Sequence, residues 1–212
     1  AGDDQTIEES GTVSILASFT DEVPIGAHSA TIDWGDGGAP EDAAVDEATY
    51  TVAASHAYPD SGAYTVTVTV RAEGGNVASG ALTVTVHDVA PTIALRGDGV
   101  AEEGAAYTLT LGEITDPGED TVTEWLVDWG DGASPTRLTA ETYPLDGVLT
   151  HRYADGPSAP LISVDLVDDD GTHEEAGSLS VTIHNIAPTI ALAGAPSVDE
   201  GAVYTLTLGE IA

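Results

Sequence analysis

Thr65-Val66-Thr67-Val68-Thr69-Val70 alternates hydroxyl and aliphatic side chains without a break. Period-two alternation puts each set on one face of a half-buried strand, and β-branched residues suit the pleat. Leu82 to Val86 and Tyr107 to Leu111 repeat the pattern. Turn clusters separate such runs: Gly35-Asp36-Gly37, Asp60-Ser61-Gly62, Glu73-Gly74-Gly75 and Asp168-Asp169-Asp170-Gly171. No convincing amphipathic helix interrupts them. Roughly seven short strands per repeat, with regular turns, predict an all-β, immunoglobulin-like sandwich.

Longer similarities set the organisation. His87-Asp88-Val89-Ala90-Pro91-Thr92-Ile93-Ala94-Leu95 recurs at an offset of 97 as His184-Asn185-Ile186-Ala187-Pro188-Thr189-Ile190-Ala191-Leu192. Glu103 to Ile114 recurs at Glu200 to Ile211 with one change, Ala106 to Val203. Trp34 and Trp129, each followed by Gly-Asp-Gly, lie 95 apart. A period of this length is a whole small domain rather than a solenoid unit. The expected division is residues 1–88, a domain lacking its first strand, then 89–185, then the first two strands of a third domain at 186–212. With no methionine, even at position 1, the chain reads as a processed or excised part of a longer array.

The 212 residues carry 37 acidic and 4 basic side chains, a formal net charge of −33. All four cations are arginines (Arg71, Arg96, Arg137 and Arg152), and lysine is absent. That balance excludes nucleic acid and anionic membrane as partners, since both require clustered cations. No apolar run approaches the ~20 residues of a membrane span, and no signal peptide is visible. Zero cysteines exclude disulfides, thiol catalysis and Cys-ligated metals. Yet 42% of residues are apolar and patterned, so the acids sit on a folded surface that needs counter-ions.

Trp34-Gly35-Asp36-Gly37, His56-Ala57-Tyr58 and Gly62-Ala63-Tyr64-Thr65-Val66-Thr67-Val68 together resemble the PKD domain, an immunoglobulin-like module named after polycystins. The second repeat keeps Trp129 to Gly132 and His151-Arg152-Tyr153, then departs where Pro157 to Pro160 replaces the Gly-x-Tyr segment. The resemblance implies a spacer or adhesive module of extracellular or cell-surface proteins, without catalysis. Strand geometry turns Ile32 and Trp34 inward and Asp33 outward, and Trp125, Val127 and Trp129 likewise inward. A carbohydrate-stacking platform is the competing use of the tryptophans. Tyr58 and Tyr153 are expected as tyrosine corners, with His56 and His151 as hydrogen-bonded loop residues.

The acids converge in one place. In such a sandwich the loop Thr115-Asp116-Pro117-Gly118-Glu119-Asp120, the hairpin Asp168-Asp169-Asp170-Gly171 and the linker residue Asp88 meet at the second domain's N-terminal pole. Their repulsion calls for a cation, and calcium accepts six to eight oxygens in irregular geometry. The expected ligands are Asp88, Asp116, Asp168 and Asp170. A solvated acidic loop is the alternative, because turns favour Asp for backbone reasons. Asp21-Glu22 with Arg71-Ala72-Glu73-Gly74-Gly75 in the first domain predicts no full site there.

Catalysis is not expected. Among 37 acids any glycosidase-like carboxylate pair can be nominated, so pairing carries no information. A Ser-His-Asp set drawn on His173 lacks a G-x-S-x-G elbow. His87 and His184 fall in linkers. The reading is a non-catalytic extended stalk, stiffened by calcium at domain junctions, whose partners are neighbouring repeats. The alternative is an adhesive module for a surface glycan or protein. Halophilic adaptation competes as an account of the acidic surface.

Overall fold

The computed structural model describes residues 2–22 and 26–211. Ala1 and Ala212, the outer limits of the expected division, lie outside them. Among the described residues there is no helix, and so none long and apolar enough to cross a membrane.

The first sandwich is built from β1 (Gln5–Glu8), β2 (Thr12–Ser18), β3 (His28–Asp33), β4 (Glu41–Asp46), β5 (Thr51–Ala57), β6 (Gly62–Ala72) and β7 (Val77–His87). They follow the order β1-β7-β6-β3-β4-β5-β2, folded over on itself. The fold-over happens within β4. Glu41 to Ala43 pair with β3, whereas Ala44 to Asp46 pair with β5, so one strand passes between the layers at a pair of small alanines. Alternation supplies the core: Val13, Ile15 and Ala17 of β2 face Val66, Val68 and Val70 of β6, all buried. Each fully buried valine or isoleucine contributes about 1.5–3 kcal/mol, and this core has no disulfide to assist it.

The second sandwich repeats the plan with β8 (Thr92–Gly97), β9 (Val100–Glu102), β10 (Ala106–Thr115), β11 (Glu124–Asp128), β12 (Thr136–Thr139), β13 (Val148–Arg152), β14 (Leu161–Val167), β15 (Thr172–Ser180) and β16 (Thr182–His184). Its layers are β13-β10-β8 and β12-β11-β14-β15. A parallel pair closes each sandwich at its end. β1 lies along β7 with Glu8 opposite His87, and β9 lies along β16 with Glu102 opposite His184. Beyond it, β17 (Ile190–Gly194) and β18 (Leu206–Ile211) form an antiparallel hairpin. Its register copies β8 on β10: Leu192 faces Leu208 as Leu95 faces Leu111, and Ile190 faces Ile211 as Ile93 faces Ile114.

The Trp-Gly-Asp-Gly and His-x-Tyr segments tie into one knot in each sandwich. Trp34 and Trp129 are buried, which places both in the cores rather than on a surface platform. The Tyr58 hydroxyl donates to the Trp34 carbonyl at 2.8 Å, and Tyr153 to that of Trp129 at 3.1 Å. His56 stacks on Trp34 with centroids 4.7 Å apart and reaches Asp36 Oδ2 at 2.9 Å. His151, Trp129 and Asp131 repeat this at 4.5 and 2.8 Å. The first glycine is obligatory. Gly130 has φ of +72°, and a Cβ there would stand 2.4 Å from the Leu161 carbonyl oxygen.

This knot predicts acid sensitivity. The Gly38 N–H bond to Asp36, helped by His56 against burial, holds the carboxyl below its ordinary 3.8, and Ala133 N–H and His151 do the same for Asp131. A depressed folded pKa contributes stability above the ordinary value that is lost as pH falls through the folded one. Urea midpoints should therefore fall as pH drops below 3.8, and Asp36→Asn with Asp131→Asn should flatten that part of the profile.

Candidate functional site

The junction between the sandwiches is organised by Glu9, in the turn from β1 to β2. Its amide donates to the His87 carbonyl at 2.9 Å, and its Oε1 accepts the Val89 N–H at 3.0 Å. Glu9 thus grips the linker on both sides of Asp88. Three contacts then cross to the loops of the second sandwich. Ser10 Oγ donates to the Pro117 carbonyl, Glu119 N–H to the Pro59 carbonyl at 3.1 Å, and Ser61 Oγ to Asp170 Oδ1 at 2.9 Å.

These contacts gather carboxylates. One oxygen from each of Glu9, Asp88, Asp120 and Asp170 lies within 4.8 Å of the other three. Glu9 is 3% exposed, and its Oε2 is buried without a hydrogen-bond partner, as are Asp88 Oδ1 and Asp120 Oδ2. Burial, followed by Glu9 and the neighbouring aspartates, pushes the Asp120 pKa up to about 7. Burial likewise raises Glu9 against its Val89 bond, and raises Asp88 against the pull of His173, with nearby aspartates adding to both. Gly118 closes over the group. A Cβ there would stand 2.7 Å from both Glu9 Oε2 and Asp120 Oδ2.

Of the four residues expected from sequence, Asp88 and Asp170 join this group. Asp116 stands beside it: its Oδ1 accepts the Gly118 N–H at 3.1 Å, and its Oδ2 is buried without a partner. Asp168 has a different task. Its Oδ1 accepts the amides of Asp170 and Gly171, each at 3.1 Å, and His173 Nε2 at 2.9 Å, which braces the hairpin that presents Asp170. Burial opposes charge on His173, but Asp168 and Asp88 outweigh it and raise its pKa. Glu9 escaped the sequence reading, and Asp120 stood in the converging loop without being named among the ligands. Glu9 belongs to the preceding sandwich, and the one visible signal was the recurrence of Glu103 as Glu200 before a glycine.

The next linker provides an internal contrast. Glu103 N–H donates to the His184 carbonyl at 3.0 Å, and Glu103 Oε1 accepts Ile186 N–H at 2.9 Å, as Glu9 does with its linker. There, however, Oε2 accepts the Gly156 N–H at 2.8 Å, and Asn185 stands in place of Asp88. The glutamate that meets the acidic group is the one left with an unsatisfied oxygen. In the first sandwich, Asp21 and Glu47 instead hold His28, at 3.1 and 2.8 Å.

Oxygens sharing one calcium lie about 2.3–2.6 Å from it, so opposite ligands are about 5 Å apart. A 4.8 Å group with buried unpaired oxygens fits that ion, and oxygen-only donors suit a hard cation. Replacing Gly118 with alanine should push the Glu9 and Asp120 carboxylates apart. Both sandwich cores should stay intact by circular dichroism.

Solved structures with similar folds include the fibronectin(III)-like modules of Clostridium thermocellum CbhA, at 17% identity, covering 85% of this chain and 90% of that one with a TM-score of 0.37. The amphioxus IgVJ-C2 molecule is 16% identical over 84% and 99% of the two chains, TM-score 0.39. SGBP-B from a Bacteroides ovatus mixed-linkage glucan utilization locus, solved with a mixed-linkage heptasaccharide, is 18% identical over 84% and 42%, TM-score 0.31. No curated protein matches the chain. Residues 1–86 match the family model of the PKD domain, so the first sandwich is similar to that immunoglobulin-like module through nearly all of its strands.

Proposed function

We propose that this chain is a non-catalytic spacer segment of an extracellular or cell-surface protein, and that calcium locks its two sandwiches together at the Asp88 junction. The observation that carries the reading is the unpaired, buried Glu9 Oε2 among three aspartates drawn from the linker and two loops of the next sandwich. Glu9, Asp88, Asp120 and Asp170 would hold the ion, with Asp116 adjacent. Bound there, calcium supplies positive charge that lets these carboxylates stay ionised side by side. A non-catalytic role agrees with the use of His56 and His151, which are committed to stacking and carboxylate bonds inside each sandwich.

A spin-label pair, one label on each sandwich, tests the locking. Calcium should narrow the inter-sandwich distance distribution relative to chelator, and Glu9→Gln with Asp120→Asn should erase that difference. Distributions that overlay in calcium and chelator for the parent protein would refute the reading.

A further inference from the structure

In the second sandwich the connection from β10 to β11 brings Asp116 and Asp120 to the junction. Its counterpart in the first sandwich, between β2 and β3, is fixed by a histidine instead. His28, the first residue of β3, has a side chain only 4% exposed. Its Nε2 lies 3.1 Å from Asp21 Oδ2, on that connection, and its Nδ1 lies 2.8 Å from Glu47 Oε2, in the turn after β4. The Phe19 and Tyr50 rings enclose the imidazole, with centroids 4.8 and 5.9 Å away. Tyr50 takes this place at φ of +53°, a conformation that bulky residues rarely adopt, and its carbonyl accepts the Phe19 N–H at 3.0 Å.

An ionised carboxylate only accepts hydrogen bonds, so each ring nitrogen needs a proton to satisfy its partner. Neutral imidazole carries one N–H and imidazolium two, so the geometry calls for the cation. The two partners are not equivalent. Glu47 Oε1 also accepts the His28 backbone N–H at 2.6 Å, a bond that does not depend on the charge of the ring. When the ring gives one proton to solvent, Nδ1–H stays on Glu47 and the Nε2 lone pair faces the Asp21 carboxylate. We infer that His28 is a proton-operated clamp: as imidazolium it joins the connection after β2 to the turn after β4, and as imidazole it keeps Glu47 and gives up Asp21. The other titratable or charged groups around it are Glu22 beside Asp21, Asp46 beside Glu47, Tyr50, and Arg71 and Glu73 at the end of β6. Glu73 is occupied by the Ala27 N–H at 3.3 Å. The Glu47 bond, opposed by burial and joined by Asp21, raises the ring pKa from its ordinary 6.5. A raised folded pKa contributes stability below the ordinary value that is lost as pH rises through the folded one. The clamp is therefore closed at mildly acidic pH and opens on the alkaline side of the raised value.

Nuclear magnetic resonance of the whole chain in chelator tests this independently of any cation. The His28 ring should titrate with a midpoint above 6.5, and the amide resonances of Thr20, Asp21 and Glu22 should move with that same midpoint. Asp21→Asn removes one carboxylate and leaves both Glu47 bonds, so it should shift the ring midpoint down toward 6.5 and flatten the titration of the Glu22 amide. Glu47→Gln should lower the midpoint further, because that bond raises it most. A midpoint at or below 6.5 in the parent overturns the inference. So does a midpoint that Asp21→Asn leaves unchanged, as a merely packed histidine would give, or a connection whose amides ignore the ring.

Discussion

Millimolar calcium should raise the melting temperature of the chelator-treated protein, and molar sodium chloride should not reproduce the gain. At a hundredfold excess over its dissociation constant, one ion binding only the folded state contributes about 2.7 kcal/mol. For a chain of this length that corresponds to roughly 5–10 °C. Sodium screens exposed charges, but buried pairs are screened much less. Equal rescue by either salt would instead assign the acidic surface to general, halophile-like screening. The pH dependence has a definite sign. Asp120 titrates near 7 in the folded protein against an ordinary 3.8, so between those values the folded state holds a proton that the unfolded chain has lost. Without calcium, this group's contribution to stability therefore falls as pH rises through that window. Calcium binding displaces the proton, so the melting gain should be larger at pH 8 than at pH 5. Glu9→Gln with Asp120→Asn should remove most of the gain and its pH dependence together.

Trp129→Ala should be the most damaging single change, costing about 3–5 kcal/mol. The ring is buried, stacks on His151 and donates from Nε1 to Thr136 Oγ1 at 2.9 Å. Its removal leaves a cavity between the layers, strands a hydroxyl and frees the histidine that holds Asp131. Urea denaturation followed by near-ultraviolet dichroism checks it. A cost below about 1 kcal/mol would mean that the ring is not a core element. The same substitution should leave the first sandwich's transition in place, because Trp34 and its partners form a separate core.

Alternation made the strands legible wherever one face is buried. Val66, Val68 and Val70 point inward as their spacing requires, and so do Ile32 and Trp34. β4 was not legible, because Glu41-Asp42-Ala43-Ala44-Val45-Asp46 serves two layers in six residues and has no single inward face. At the junction, the sequence indicated the pole where the acids gather but could not assign each acid. In Asp168-Asp169-Asp170-Gly171 every aspartate is chemically equivalent until the turn closes. Then Asp168 takes the backbone amides and Asp170 faces the linker. Glu9 lay beyond local reasoning altogether. It sits 79 residues before Asp88 and reaches the group because β1 runs beside β7, the strand that leads into the linker.

That parallel pairing of first and last strands has a mechanical consequence. In the first sandwich β1 and β7 lie side by side and point the same way. Tension applied at the start of β1 and the end of β7 would drag β1 backward and β7 forward along their common axis. The load then falls on the whole ladder from Gln5–Val84 to Glu8–His87 in shear, rather than peeling it one rung at a time. In the second sandwich β9 and β16 are likewise parallel, but there β8 comes first along the chain and lies antiparallel on β10. Loaded along β1 and β7, the first sandwich would resist stretching with several hydrogen bonds that must yield together, and would not lengthen until the whole clamp gives way.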